Sequence, residues 1–171
     1  VMSSPFLELH LDNINLSPDE WKTIIYPSSL RNIVSAAVSG HTRILQSLAT
    51  HFDQVDLNSY QVHELKNAVP TTAWAQVLIN RPKLISLMAT NALLGKAQTF
   101  EIISPHLYHL TPETWHSILT NDPSSIRYIA SLAIKNNLHL LQVLERHLAQ
   151  INLSAGDWKK IIKAEPLNIS L

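Results

Sequence analysis

The apolar positions of the chain fall on helical spacing, and the same stripe recurs. Each tryptophan opens one. In SPDEWKTII, TTAWAQVLI, PETWHSILT and AGDWKKIIK, the indole is followed at +3 and +4 by Ile24 and Ile25, Val77 and Leu78, Ile118 and Leu119, and Ile161 and Ile162. An i, i+3, i+4 triplet lies on one face of a helix, so Trp21, Trp74, Trp115 and Trp158 each predict a short helix with that face turned inward. A second block starts at Pro27, Pro82 and Pro123 and aligns without gaps in three copies. Its apolar positions run Leu30, Ile85, Ile126; then Ile33, Met88, Ile129; then Ala37, Ala92, Ala133. Gly40, Gly95 and Asn136 follow, then a second apolar stripe, and the block ends on His51, His106 and His147.

This block predicts a helical hairpin. Proline is tolerated in a first helical turn, which needs no backbone donor there. Gly or Asn then stands where a helix closes on a left-handed residue. In the linkers, Ser17, Thr111 and Ser154 precede their tryptophans by four, and Ser17-Pro18-Asp19-Glu20 has the form of a capping box. Pro70 takes this place in the second copy and has no side-chain acceptor to cap with. That copy is also longer by 12 residues around SYQVHELKNAVP, predicting an added helix over 58–69 with Val62, Leu65 and Val69 on one face. In the same copy Leu84, Leu87 and Leu94 replace residues that are mostly polar in the sister copies. The added helix is expected to cover them, the alternative being an exposed patch for a partner.

One repeat therefore has three helices: one carrying Trp, one led by Pro and one ending in His. The predicted organisation is a single repeat array over 1–171. Residues 1–13 end a preceding repeat, 14–54 form repeat one, 55–109 repeat two with its insert, 110–150 repeat three and 151–171 a partial fourth. Both ends fall inside a repeat, as expected of a piece of a larger protein or of an array with truncated caps. The fold class is all-α, an α-solenoid.

Residues 36–58, AAVSGHTRILQSLATHFDQVDLN, resemble the helical half of an ankyrin repeat in their paired alanines, Gly40-His41, apolar second helix and Val-Asp-Leu-Asn exit. SLAIKNNLHLLQVLERHLAQINLS, from Ser131, is a weaker copy. The likeness covers about half of each repeat. The family's Thr-Pro-Leu-His segment is missing, Phe52, Leu107 and Leu148 stand where a glycine usually follows the second helix, and a Trp helix replaces the β-turn finger. Armadillo-type repeats, with three helices in a similar length, are the fallback architecture. The resemblance implies ankyrin-like helical repeats, each with an extra Trp-containing helix. The Asn-, Ile-, His- and Lys-rich character is similar to arrays in secreted effectors of intracellular bacteria, implying a cytoplasmic location, or the host-cell cytosol for a secreted effector.

Composition narrows the function. Lys+Arg and Asp+Glu are 13 each, and a net charge of zero gives no reason to expect nucleic acid or an anionic membrane as partner. There is no cysteine, which excludes disulfides, thiolate zinc sites and a cysteine nucleophile. Three glycines leave little material for a phosphate-cradling loop. No apolar run approaches the roughly 20 residues of a membrane span, so no membrane insertion is expected. No G-x-S-x-G, H-E-x-x-H, P-loop or Rossmann pattern occurs. The tryptophans read as core rather than as a stacking ladder for a ligand.

The histidine column His10, His51, His106 and His147 reads as helix C-terminal capping. Stacked repeats hold equivalent residues too far apart to bind one ion at roughly 2.0–2.1 Å each, and the pair His106 and His109 lacks a third ligand nearby in sequence. The expectation is therefore a protein–protein interaction module with an unidentified protein partner, no catalytic residues, no metal and no cofactor. One alternative is a targeting or scaffolding segment of an effector with catalysis elsewhere, and an enzyme in its own right is the more distant one. Candidate contact residues are the polar, copy-variable positions of the Pro-led helices, Arg31, Asn32, Lys83, Arg127, Tyr128 and Lys135, joined by Tyr60, His63 and Lys66 of the insert.

Overall fold

A computed structural model describes residues 17, 19–20, 27–52, 55–136, 142, 145–146 and 153–164. Trp21, His10, His147 and the side chain of Lys135 lie outside the described residues. Among those described, every regular element is an α-helix: α1 Pro27–Val38, α2 Arg43–Thr50, α3 Ser59–Asn67, α4 Thr71–Asn80, α5 Leu84–Leu93, α6 Gln98–Leu107, α7 Pro112–Asn121, α8 Ser125–Asn136 and α9 Ala155–Ala164. The fold is all-α, and no described helix is long and apolar enough to cross a membrane. The chain divides into two compact units, Val1–Val77 and Leu78–Leu171, with α4 running across the division.

In the first unit α1 packs against α2 and α3. Leu30, Ile33 and Ala37, the predicted stripe of α1, are buried. The helix closes on Gly40, whose φ of 96° lies in the left-handed region. The Gly40 N–H donates to the Ala37 carbonyl at 3.0 Å and the His41 N–H to the Ala36 carbonyl at 2.9 Å, the paired closure that satisfies two carbonyls of a last turn. In α2, six of eight residues are buried, and they include Gln46 and Ser47 of its polar face. Its leucines Leu45 and Leu48 each contribute about 1.5–3 kcal/mol by burial.

The predicted insert is α3. Asn58 Oδ1 accepts from the Gln61 N–H at 2.8 Å, and the Asn58 N–H donates to Gln61 Oε1 at 2.9 Å, a reciprocal cap. Val62, Leu65 and Val69 are buried as their shared face requires. After Pro70, α4 starts without a side-chain cap; the N–H groups of Ala73 and Trp74 donate to the Pro70 carbonyl instead.

In the second unit α5 packs against α6 and α8, and α7 against α8 and α9. Gly95 has φ 99° and repeats the closure of Gly40: Gly95 N–H to the Ala92 carbonyl at 3.1 Å, Lys96 N–H to the Asn91 carbonyl at 2.8 Å. The third copy differs. α8 includes Asn136, so this position is helical where a left-handed residue was expected. Asparagine carries a Cβ, for which that stop is costlier than for glycine.

The linker caps form as predicted. Ser17 Oγ accepts from the Glu20 N–H and Glu20 Oε1 accepts from the Ser17 N–H. Ser154 and Asp157 make the same exchange, and Thr111 Oγ1 accepts from the Thr114 N–H. The bond to Ser17 holds the Glu20 carboxyl below its ordinary value.

Two expectations fail in this unit. Leu84 is buried and Leu87 half-buried, but Leu94 is 77% exposed, so no cover reaches all three leucines. Leu94 is the C-cap of α5, at the hairpin corner beside Gly95. The insert's own apolar face is buried in the first unit, where α3 packs on α1. Trp158 is 38% exposed, whereas Trp74 and Trp115 are fully buried. Among the described residues α9 packs principally on α7, which leaves the Trp158 indole partly open.

Candidate functional site

The first unit contains a hollow of about 170 Å³ between α1 and α3. Leu30, Arg31, Val34 and Ser35 of α1 line one side, and Tyr60, Glu64 and Ala68 the other. Helical spacing explains the grouping. On α1 the positions 30, 31, 34 and 35 form one i, i+3, i+4 face, and positions 60 and 64 of α3 and its C-cap residue 68 form an i, i+4 row. The floor is apolar, with Leu30 and Val34 buried, while Arg31, Ser35 and Tyr60 are exposed at the rim. Tyr60 Oη donates to Glu64 Oε1 at 3.0 Å, tying the phenol to its own helix. Arg31 makes no hydrogen bond or ion pair among the described residues. The rim therefore carries one free cation on α1 and one carboxylate on α3, with an aromatic beside the carboxylate.

Two of the sequence-predicted contact residues, Arg31 and Tyr60, thus meet in one place although they lie 29 positions apart in the chain. Asn32 lies next to Arg31 and is half-buried. His63 is exposed and pairs with Asn67 through Nδ1 at 3.0 Å, and Lys66 is half-buried. Neither lines the hollow. In the second unit Lys83 is exposed at the N-cap of α5. Arg127 and Tyr128 are half-buried rather than fully exposed, and the Arg127 guanidinium carbon sits 4.0 Å from the Tyr128 ring centroid, a cation–π contact. Arg127 Nε is buried without a partner. Glu64 was not predicted from sequence; its i+4 spacing from Tyr60 on the added helix is the signal that could have found it.

Other described polar side chains tie helices together or cap them. Ser86 Oγ donates to Asp122 Oδ2 at 2.5 Å, and Ser125 Oγ donates to the Asp122 carbonyl at 2.9 Å, so buried Asp122 ties α5 to the turn between α7 and α8. His51 Nδ1 lies 2.8 Å from the Ser47 carbonyl. A carbonyl only accepts, so Nδ1 carries the proton and caps the end of α2, the role predicted for it. His106 is buried in the last turn of α6. Among the described residues no three His, Cys, Asp or Glu side chains gather as a metal ion would need. Trp74 Nε1 donates to the Leu65 carbonyl of α3 at 3.1 Å, whereas Trp115 Nε1 is buried with no acceptor.

No protein-family model, curated protein or solved structure matches the chain.

Proposed function

We propose that the chain is a protein-binding module, an ankyrin-like helical repeat array of the α-solenoid kind that works through surface side chains held on rigid helices. The observation that carries this reading is the recurrence of one unit. The same glycine closure ends α1 and α5, and a hydroxyl cap stands four residues before Trp21, Trp115 and Trp158. Arrays of this kind are held by nearest-neighbour stacking and present extended faces to partners. Rigid helices lose little ordering entropy on binding, which favours such a face for recognition. Arg31, Tyr60 and Lys83 are exposed on helices or at a helix start, as contact residues must be. Asn32, His63 and Lys66 in the first unit and Arg127, Tyr128 and Lys135 in the second are the other proposed contact residues.

Affinity capture with the wild-type chain and with a variant carrying Arg31→Glu, Lys83→Glu and Arg127→Glu tests it. A partner retained by the wild type and lost by the folded variant is the expected result. A partner bound equally by both would remove this surface from the function.

A further inference from the structure

From the hollow between α1 and α3 we infer that it is an anchor pocket for a peptide segment of a protein partner, taking one aliphatic side chain with a carboxylate beside it. The inference rests on the protein-binding reading and names the partner chemistry. Size decides the class of ligand. Pockets for small molecules and cofactors run to roughly 300–1,000 Å³, whereas a cavity of about 150 Å³ holds a single benzene. At about 170 Å³ the hollow fits one side chain of leucine or isoleucine dimensions and little more. Its floor of Leu30, Val34 and Ala68 offers such a group only dispersion and desolvation.

Charge decides what flanks the anchor. Arg31 stands at the rim with its donors unpaired, on an exposed site, and a planar guanidinium matches a carboxylate in bidentate fashion. Glu64 on the opposite wall already accepts the Tyr60 hydroxyl, so an incoming acid is drawn to the α1 side and repelled from the α3 side, which fixes the direction of the peptide. The Tyr60–Glu64 bond also holds the aromatic wall before binding, so less side-chain entropy is lost when a partner arrives. Glu64 acts here as a positioning residue.

Panning a displayed library of short random peptides against the intact chain tests the pocket. Enrichment of an acidic residue adjacent to Leu, Ile or Val is expected. A synthetic peptide of that consensus should bind Arg31→Glu at least about tenfold more weakly, and the same panning against Arg31→Glu should return a basic residue in place of the acidic one. Ser35→Trp, an exposed position that closes the rim without touching the floor, should also abolish binding while leaving the thermal melt unchanged. No enrichment, or enriched peptides indifferent to both substitutions, would overturn the inference. If enriched peptides respond to Lys83→Glu or Arg127→Glu instead, the pocket fails while the protein-binding function stands.

Discussion

Trp74 and Trp115 occupy the same place in two copies of one repeat, both are fully buried, and their indole N–H groups fare differently. Beside Trp74 the sequence has an extra helix, α3. It ends at Asn67, so the Leu65 carbonyl belongs to its last turn and lacks an in-helix donor. Trp74 Nε1 supplies that donor at 3.1 Å. One bond thus satisfies a stranded carbonyl and a buried indole together. Trp115 has no such neighbour, and its Nε1 is buried without an acceptor. Equivalent position and equivalent burial therefore do not mean equivalent energy. In the longer copy the indole is a tie between helices; in the shorter it is apolar bulk carrying the cost of one unsatisfied donor.

Substituting the two tryptophans gives the largest expected effect. Alanine at either site should destabilise the fold by about 3–5 kcal/mol, with Trp74→Ala at the upper end. Phenylalanine sharpens the contrast. Trp74→Phe strands the Leu65 carbonyl, at about 1–3 kcal/mol, in addition to the volume lost. Trp115→Phe loses volume but also removes the unsatisfied donor, so it should cost about 1–2 kcal/mol less. Urea unfolding followed by circular dichroism measures both, and equal costs for the two variants would break the comparison.

A second test asks whether the two regions differ only where the extra helix intervenes. Gly40→Ala and Gly95→Ala should each cost about 1–2 kcal/mol, and by the same amount, because a Cβ at either site meets nothing within 4 Å and only the positive φ resists it. Gly156, inside α9 with Ser154 Oγ at 3.7 Å from a built Cβ, provides the opposite sign: Gly156→Ala should be neutral or stabilise by up to about 1 kcal/mol. Unequal costs at Gly40 and Gly95 would mean that the regions diverge in their backbone as well.

The smallest effect is at Glu20, in the cap that precedes Trp21. Its carboxyl titrates below the ordinary glutamate value, through the bond to the Ser17 backbone first and the Ser17 side chain second. A carboxyl lowered in the folded state adds stability above its unfolded value, and that contribution disappears as pH falls through the lowered one. NMR titration should find Glu20 below the ordinary glutamate value, with part of the difference lost in Ser17→Ala.

Local features were legible in the sequence because each needs only a few adjacent residues. Ser17, Thr111 and Ser154 cap where their spacing from tryptophan says, Gly40 and Gly95 close their helices, and the insert helix forms within the predicted stretch. Leu94 was misjudged because an apolar letter in a hairpin corner carries no sign of direction, and Trp158 because burial depends on what packs on the helix rather than on the stripe within it. Asn136, the last residue of α8, shows that asparagine at the glycine position does not force the earlier stop seen in α1 and α5. Of the candidate site, copy-to-copy variation pointed to Arg31, and Tyr60 entered separately as a residue of the insert. Their meeting, and the part played by Glu64, depend on how α3 lies along α1, which no local spacing encodes.

The insert is also self-sufficient. α3 begins on its own reciprocal Asn58–Gln61 cap, brings its own apolar face, and has a last-turn carbonyl closed by an indole that the repeat possesses in any case. In the repeat containing Trp115, which has no such helix, the equivalent indole N–H is buried and unanswered, so the inserted helix completes a bond that the shorter repeat goes without.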